Sequence, residues 1–319
     1  MRPKVIFAAE RHLGCNPARD YSPHHYSTLG ALEDLDWADV WVFHIDQTPV
    51  EDLVRLAKSI QPDLVLLSYI LSYGEKNIDL STIHQLWRHS KHVAMLWQES
   101  SQDVIRTADQ FNSDVEFHVV IDSLTRYKQY THQPEKYIAA YDPRSPRIFN
   151  STGEEARPIL LGFAGTLVSR AERIFYCSNM WLSGLPLAKF AGQGELLVPL
   201  ESYVDFLRSS RIQLNFSDSG HTERHYKGRV AEATLCGSML MELENIETAN
   251  IFEPMIEYVP FSNLEDLISK ARYYLMHPEE AAQIAAAGCA KARLELTGAK
   301  FWSKVFERAK IDWGDTSGH

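Results

Sequence analysis

Short apolar runs alternate with helix-patterned segments along nearly the whole chain, and no other feature limits the fold as strongly. Runs at 4–9, 40–45, 64–69, 93–97, 117–121 and 137–140 have the length and content of buried strands. Between them, 26–35, 50–60, 83–89, 103–111 and 124–130 carry helical spacing, the second of these stopped by Pro62. Strand and helix in strict alternation predict βαβ units around a parallel sheet. Ligands of such sheets bind at the carboxyl ends of the strands. The polar residues that follow strands are therefore of interest: Glu10, His12, Asp46, Ser68, Glu99 and Asp122.

Residues 142–158 break the pattern with prolines, charges and small polar side chains, and read as a linker. A second alternation follows. Strands are predicted at 159–164, 187–190, 212–216, 239–241 and 257–259, and helices at 172–182, 203–209, 227–236, 264–276, 279–287 and 301–309. A length of 319 residues suits two domains. The expected class is α/β, with Rossmann-like domains at 1–150 and 151–300 and a terminal helix in 301–319.

Composition excludes several partners. The net charge of −10 argues against nucleic acid, whose phosphates require a basic face. The cysteines (Cys15, Cys177, Cys236, Cys289) form no CxxC pair, a pattern of reduced thiols without a zinc site. The N-terminal apolar run is too short for a signal peptide, and no window reaches the length of a membrane span. The expected location is cytoplasmic.

The stretch at 221–242 carries the most chemistry. Arg224, Lys227 and Arg229 cluster around an expected helix start, where the dipole ordinarily disfavours cations. They make sense there if an anion binds the free amides at that end. Glu232 follows Arg229 by three residues, on the same helix face. A carboxylate beside an anion site suits a ligand with both phosphate and hydroxyls, such as a nucleotide sugar. The plainer alternative is an exposed Arg229–Glu232 ion pair. His221 and His225 stand at i, i+4 but lack the acidic partner of a zinc helix, and Cys236 reads as a buried residue at a helix end.

Ordered matches then extend over about 160–297. They comprise Gly162-Phe163-Ala164-Gly165-Thr166, Lys227-Gly228-Arg229-Val230-Ala231-Glu232-Ala233, Cys236-Gly237, Ile251-Phe252-Glu253-Pro254, Glu257-Tyr258-Val259 and Tyr273-Tyr274-Leu275-Met276-His277-Pro278-Glu279-Glu280. This series resembles the C-terminal domain of GT-B-fold glycosyltransferases, most closely the spore-maturation glycosyltransferase-like group. The resemblance implies two Rossmann-like domains facing a cleft, with a nucleotide-diphosphate sugar held by the second. It implies that Glu232 takes the ribose hydroxyls, that Arg224, Lys227 and Arg170 meet the diphosphate, and that Gly228, Gly165 and Glu253 belong to the donor-binding site. It implies no cofactor and no metal. It also implies that the terminal helix crosses back to the first domain, and that the acceptor, a glycan, small molecule or protein, binds on the first domain's side. An inverting enzyme would need a base there, for which Glu99 leads, then His12, Glu10 and Asp46. Two positions depart from the family. Arginine stands at 224, where many retaining relatives have the first glutamate of an E-x7-E pair, and Met255 follows Phe-Glu-Pro in place of glycine. Retention or inversion stays open. An inactive nucleotide-sugar-binding protein and a nucleotide-sugar epimerase on the same fold are the alternatives.

Overall fold

The computed structural model describes residues 2–17, 19, 22–71, 74, 77–153, 156–190, 199–217 and 224–313. Its contacts separate into two compact units. One comprises the chain up to Ser145 together with the chain from Gly298 onward, and the other is Pro146–Thr297. The division thus falls at 145/146 and 297/298, rather than at the expected 150/151 and 300/301.

The first unit is built on a parallel sheet of β1 (Lys4–Ala9), β2 (Asp39–His44), β3 (Leu64–Tyr69), β4 (His92–Trp97), β5 (Phe117–Val120) and β6 (Tyr137–Ala139), in the order β2-β1-β3-β4-β5-β6. Helices α1 (Thr28–Leu35), α2 (Val50–Ile60), α3 (Leu80–Leu86) and α4 (Gln102–Asp109) belong to it. Both faces of the sheet are buried, as parallel sheets require. Ile6, Val65, Leu67, Val93 and Met95 pack with Leu53, Ala57, Ile83 and Ile105. Their strand neighbours Val5, Phe7, Leu64, Leu66, Ala94 and Leu96 point to the other face. That alternation within continuous apolar runs is why the strands were legible but the two faces were not separable by polarity.

The second unit has β7 (Ile159–Ala164), β8 (Leu187–Phe190), β9 (Ser210–Asn215), β10 (Met239–Leu243) and β11 (Val259–Phe261), all parallel, in the order β11-β10-β9-β7-β8. Its helices are α5 (Ala171–Leu182), α6 (Leu200–Arg208), α7 (Gly228–Leu235), α8 (Ile246–Ala249), α9 (Leu264–Met276) and α10 (Pro278–Glu295). In each sheet the first strand in sequence lies between the second and the third. The connections leave it in opposite directions, which opens a crevice at its carboxyl end. In the second unit that crevice is bounded by the segments after β7 and β9.

The last helix, α11 (Gly298–Arg308), packs on α1 in the first unit. Phe301, Trp302, Val305 and Phe306 complete the core on the Phe7 face of the sheet. A Cβ at Gly298 would stand 2.7 Å from the carbonyl of Ala31, so glycine permits this close approach.

Several elements differ from the sequence reading: α3 lies at Leu80–Leu86 rather than 83–89, α6 at Leu200–Arg208 rather than 203–209, and the expected helix at 124–130 is a short 3-10 turn at Arg126–Gln129. Helix α10 does not stop before Gly288 but runs on to Glu295. Gly288 serves packing, not termination: a Cβ there would lie 2.3 Å from the carbonyl of Glu257. The last strand begins at Val259 rather than 257, because Glu257 and Tyr258 close a turn in which Pro254 bridges Tyr258. No helix among the described residues is long and apolar enough to cross a membrane.

Candidate functional site

Helix α7 begins where the sequence places it, with Lys227 in extended backbone at the N-cap and Gly228 as its first residue. Lys227 has no capping side chain, so the first-turn amides are not taken up by it. Arg229 and Glu232 follow on the helix. Arg224 does not belong to the helix start. It lies in the preceding segment, where its guanidinium donates to the Glu172 carboxylate at 3.2 and 3.4 Å and to the carbonyl of Phe216 at 3.3 Å. The earlier grouping of three cations at one helix end is corrected accordingly. Lys227 and Arg229 stand at the start of α7, and Arg224 ties the segment after β9 to the first turn of α5. Residues 218–223, including His221 and Glu223, lie outside the described residues.

The loop after β7 supplies the facing side. Gly165 donates its amide to the carbonyl of Phe190. Ser169 has φ +55, and Arg170 stands at the N-cap of α5, one residue from the helix that carries Glu172. Arg170 and Arg224 are thus brought to the same helix start, one through the backbone and the other through Glu172. Arg173, buried on the same first turn, donates to the carbonyl of Thr166 at 3.2 Å and so braces this loop. Sequence reading passed over Glu172 and Arg173 because both look like ordinary residues of an amphipathic helix.

Glu232 is 5% exposed, which rules out the solvated Arg229–Glu232 face considered above. Its Oε2 accepts a hydrogen bond from the Tyr203 hydroxyl on α6 at 2.5 Å. The Tyr203 ring lies 6.5 Å from those of Phe149 and Phe190. Tyr203 was missed because it reads as the apolar-face residue of a helix, and only the fold sets α6 beside α7. Tyr203→Phe keeps the ring and deletes the donor. It should lower unfolding free energy by about 1–2 kcal/mol in urea titration, and an unchanged midpoint would show that the contact contributes nothing.

A further carboxyl comes from β10. Glu242 is fully buried, and burial pushes its pKa above the ordinary carboxylic range. Its Oε1 accepts from Asn215 Nδ2 at 2.9 Å and from the Ser217 hydroxyl. Cys236 is fully buried, with its thiol pushed up to about 12 by desolvation, and so is chemically quiet. His225 is also buried, its carbonyl accepting from Asn245 Nδ2 at 3.0 Å.

Glu253 is exposed, in the turn before β11, where its amide donates to the Glu257 carboxylate at 2.8 Å. Met255 adopts φ +66, a conformation that favours glycine. Methionine in this left-handed turn costs strain that glycine would not.

In the first unit, Glu99 is half-buried and follows β4. Ser101, not Glu99 or Ser100, takes the N-cap position of α4, and the Ser101 hydroxyl reaches Glu99 Oε1 only at 3.4 Å. His12 Nδ1 lies 3.0 Å from the carbonyl of Arg19, which places the proton on Nδ1 and makes Nε2 the acceptor in the neutral ring. Asp46 accepts from the backbone amides of Arg11 and His12, and Glu10 accepts from Ser22 Oγ at 2.7 Å at 1% exposure. These two carboxylates are committed to holding the loop after β1. Ser68 pairs with His24 and Asp122 with Arg126.

Two doubly wound parallel sheets, each opened at its first strand, define the GT-B class of fold. Residues 188–305 match a family model described as glycosyl transferase-like. No curated protein sequence matches the chain. Among solved structures it is similar to Anabaena Alr3699/HepE in complex with UDP and glucose, at 12% identity, over 97% of this chain and 100% of that one, with TM-score 0.61. It is similar to AviGT4, a glycosyltransferase involved in avilamycin A biosynthesis, at 13% identity over 97% of each chain, with TM-score 0.56. It is also similar to a glycosyltransferase from Rickettsia africae, at 9% identity, over 97% and 98% of the two chains, with TM-score 0.56. The fold is that of these GT-B structures, and the glycosyl transferase-like match covers part of the chain, residues 188–305.

Proposed function

We propose that the chain transfers a sugar from a nucleoside diphosphate sugar to an acceptor hydroxyl, with the donor held by the second unit. The observation that carries this reading is the crevice edge after β9. It combines a helix start at Gly228, the cations Arg224 and Lys227 before it, and the carboxylate of Glu232 one turn in. The amides and cations suit a diphosphate, and the carboxylate suits ribose hydroxyls. The donor base is proposed to be uracil, because the similar Anabaena protein was solved with UDP, with UDP and glucose, and with UDP-glucose.

The chemistry follows from charge. As the glycosidic bond to the diphosphate breaks, negative charge grows on the leaving oxygen. Lys227, Arg170 and the α7 amides are preorganised to offset it, without a metal ion and without a cofactor. Glu253 is proposed to lie at the rim of the donor pocket and Gly165 to admit the phosphates to the β7 loop. The acceptor is assigned to the first unit, where Glu99 and then His12 are the proposed proton acceptors for an inverting reaction. A cytoplasmic site of action fits these donors.

The test is a panel of UDP-, GDP-, ADP- and TDP-sugars, followed by nucleotide release with and without EDTA. Slow release of UDP from a UDP-sugar, unaffected by EDTA, is expected. Binding without any release would mark an inactive binding protein, and conversion of the donor without acceptor would mark an epimerase. Lys227→Ala should weaken UDP by roughly 10–100-fold, the worth of one charge-assisted hydrogen bond, and leave uridine nearly unchanged. Calorimetric titration of both ligands checks this, and equal losses for the two would remove Lys227 from the diphosphate site.

A further inference from the structure

The segment after β9 is held from beneath by β10. Asn215 ends β9 and is the register partner of Glu242 on β10. Glu242 Oε1 accepts from Asn215 and from Ser217, and Asn215 Nδ2 also reaches Ser217 Oγ at 2.9 Å. Ser217 has φ +48, a left-handed bend that a β-strand does not continue through. Asn215 Oδ1 lies 3.5 Å from Nε of Arg229, on the first turn of α7. At the far end of the segment, Asn245 Nδ2 holds the carbonyl of His225. Two side chains of β10 and the residues just after it thus fix both described ends of the segment that leads to Lys227. Burial raises the pKa of this carboxyl, while the side-chain hydrogen bonds of Ser217, Thr248 and Asn245 and the charge of Arg224 act against the rise. The neighbouring cation, Arg224, is engaged with Glu172.

We infer that Glu242 is a positioning residue for the donor diphosphate: a buried clamp that sets the bend at Ser217 and, through the Ser217 carbonyl that accepts from the His225 amide, the placement of the adjoining Arg224 and Lys227. The inference rests on the donor-site reading above. Glu242 touches no substrate in this account; it acts through Asn215 and Ser217. A carboxyl and a primary amide offer an accepting oxygen at the same reach, so glutamine should serve in its place. Alanine leaves Asn215 and Ser217 without their common acceptor in a dry environment.

The experiment is titration of the full chain and its variants with UDP and with uridine, alongside thermal unfolding. Glu242→Ala should weaken UDP roughly 10–30-fold, with uridine affinity nearly kept, because the clamp sets the phosphate side. Glu242→Gln should stay within about threefold of the unaltered chain for both ligands, as an isosteric acceptor. Ser217→Ala reads the same contact from the loop side and should cost UDP about fivefold, which keeps the test open if Glu242→Ala does not fold. UDP affinity unchanged in folded Glu242→Ala or in Ser217→Ala would overturn the clamp. A loss in Glu242→Gln as large as in Glu242→Ala would overturn the role of the accepting oxygen, and equal losses of UDP and uridine would reduce Glu242 to a structural residue. Failure of the unaltered chain to bind UDP or any other nucleotide would instead overturn the donor-site reading itself.

Discussion

Replacing Glu232 by alanine should weaken UDP binding by roughly 2–4 kcal/mol, or about 30–1000-fold, the worth of two hydrogen bonds from ribose hydroxyls to a charged acceptor. The carboxylate is 5% exposed and already carries the Tyr203 hydroxyl on one oxygen. Its position is therefore set before any ligand arrives, and little ordering is required on binding. The variant also strands the Tyr203 hydroxyl, so a fall in unfolding temperature is expected beside the loss of affinity. A second ligand separates the two effects. A dideoxyribose form of UDP should bind the unaltered chain about as weakly as UDP binds Glu232→Ala. Combining the variant with the dideoxy ligand should add little more, because both remove the same contact. Additive losses in that cycle would place Glu232 away from the ribose.

Trp302→Ala should destabilise the first unit by roughly 3–5 kcal/mol and lower its unfolding temperature by roughly 6–20 °C. Trp302 is fully buried and lies edge-on to Phe7, with Phe301 and Phe306 around it. Its Nε1 donates to the carbonyl of Thr28 at 2.8 Å, across 274 positions of sequence. Alanine therefore opens a cavity and also removes the partner of a buried carbonyl. Trp302→Phe refills most of the space and should recover more than half of the loss. Thermal unfolding followed by near-ultraviolet circular dichroism reads both variants. A shift of less than about 2 °C for alanine would mean that α11 contributes little to the first unit's core.

Elements were legible where the sequence carried its own punctuation. Helix α9 and strand β8 have the predicted bounds, 264–276 and 187–190, because Pro278 and Asn263 bracket the helix and apolar content brackets the strand. Helix α7 followed from Gly228 and from Gly237, whose φ of +73 fits the left-handed turn after the helix. Gly288 misled because a glycine inside a helix reads as a stop, whereas here it answers to a carbonyl from a distant turn. The candidate site divided in the same way. Lys227, Gly228 and Glu232 form one contiguous motif whose spacing sets them on one helix start. Tyr203, Glu242 and the adjacent pair Glu172 and Arg173 come from three other places in the sequence, and no local pattern marks them.

The alternation of apolar runs with helical spacing was enough, by itself, to determine two α/β units with parallel sheets, since parallel strands require a crossover between them. It was also enough to place Lys227 and Gly228 at one helix start with Glu232 one turn in. The order of strands, which puts the crevice after β7 and β9, was decided only in the tertiary structure. So was the return of α11 to the first unit. So too were the partners of the polar groups: Arg224 turned towards Glu172, Glu232 held by Tyr203, and Glu242 buried beneath the segment after β9. Periodicity is a property of neighbours along the chain, whereas hydrogen-bond partners and burial belong to neighbours in space, and only packing determines those.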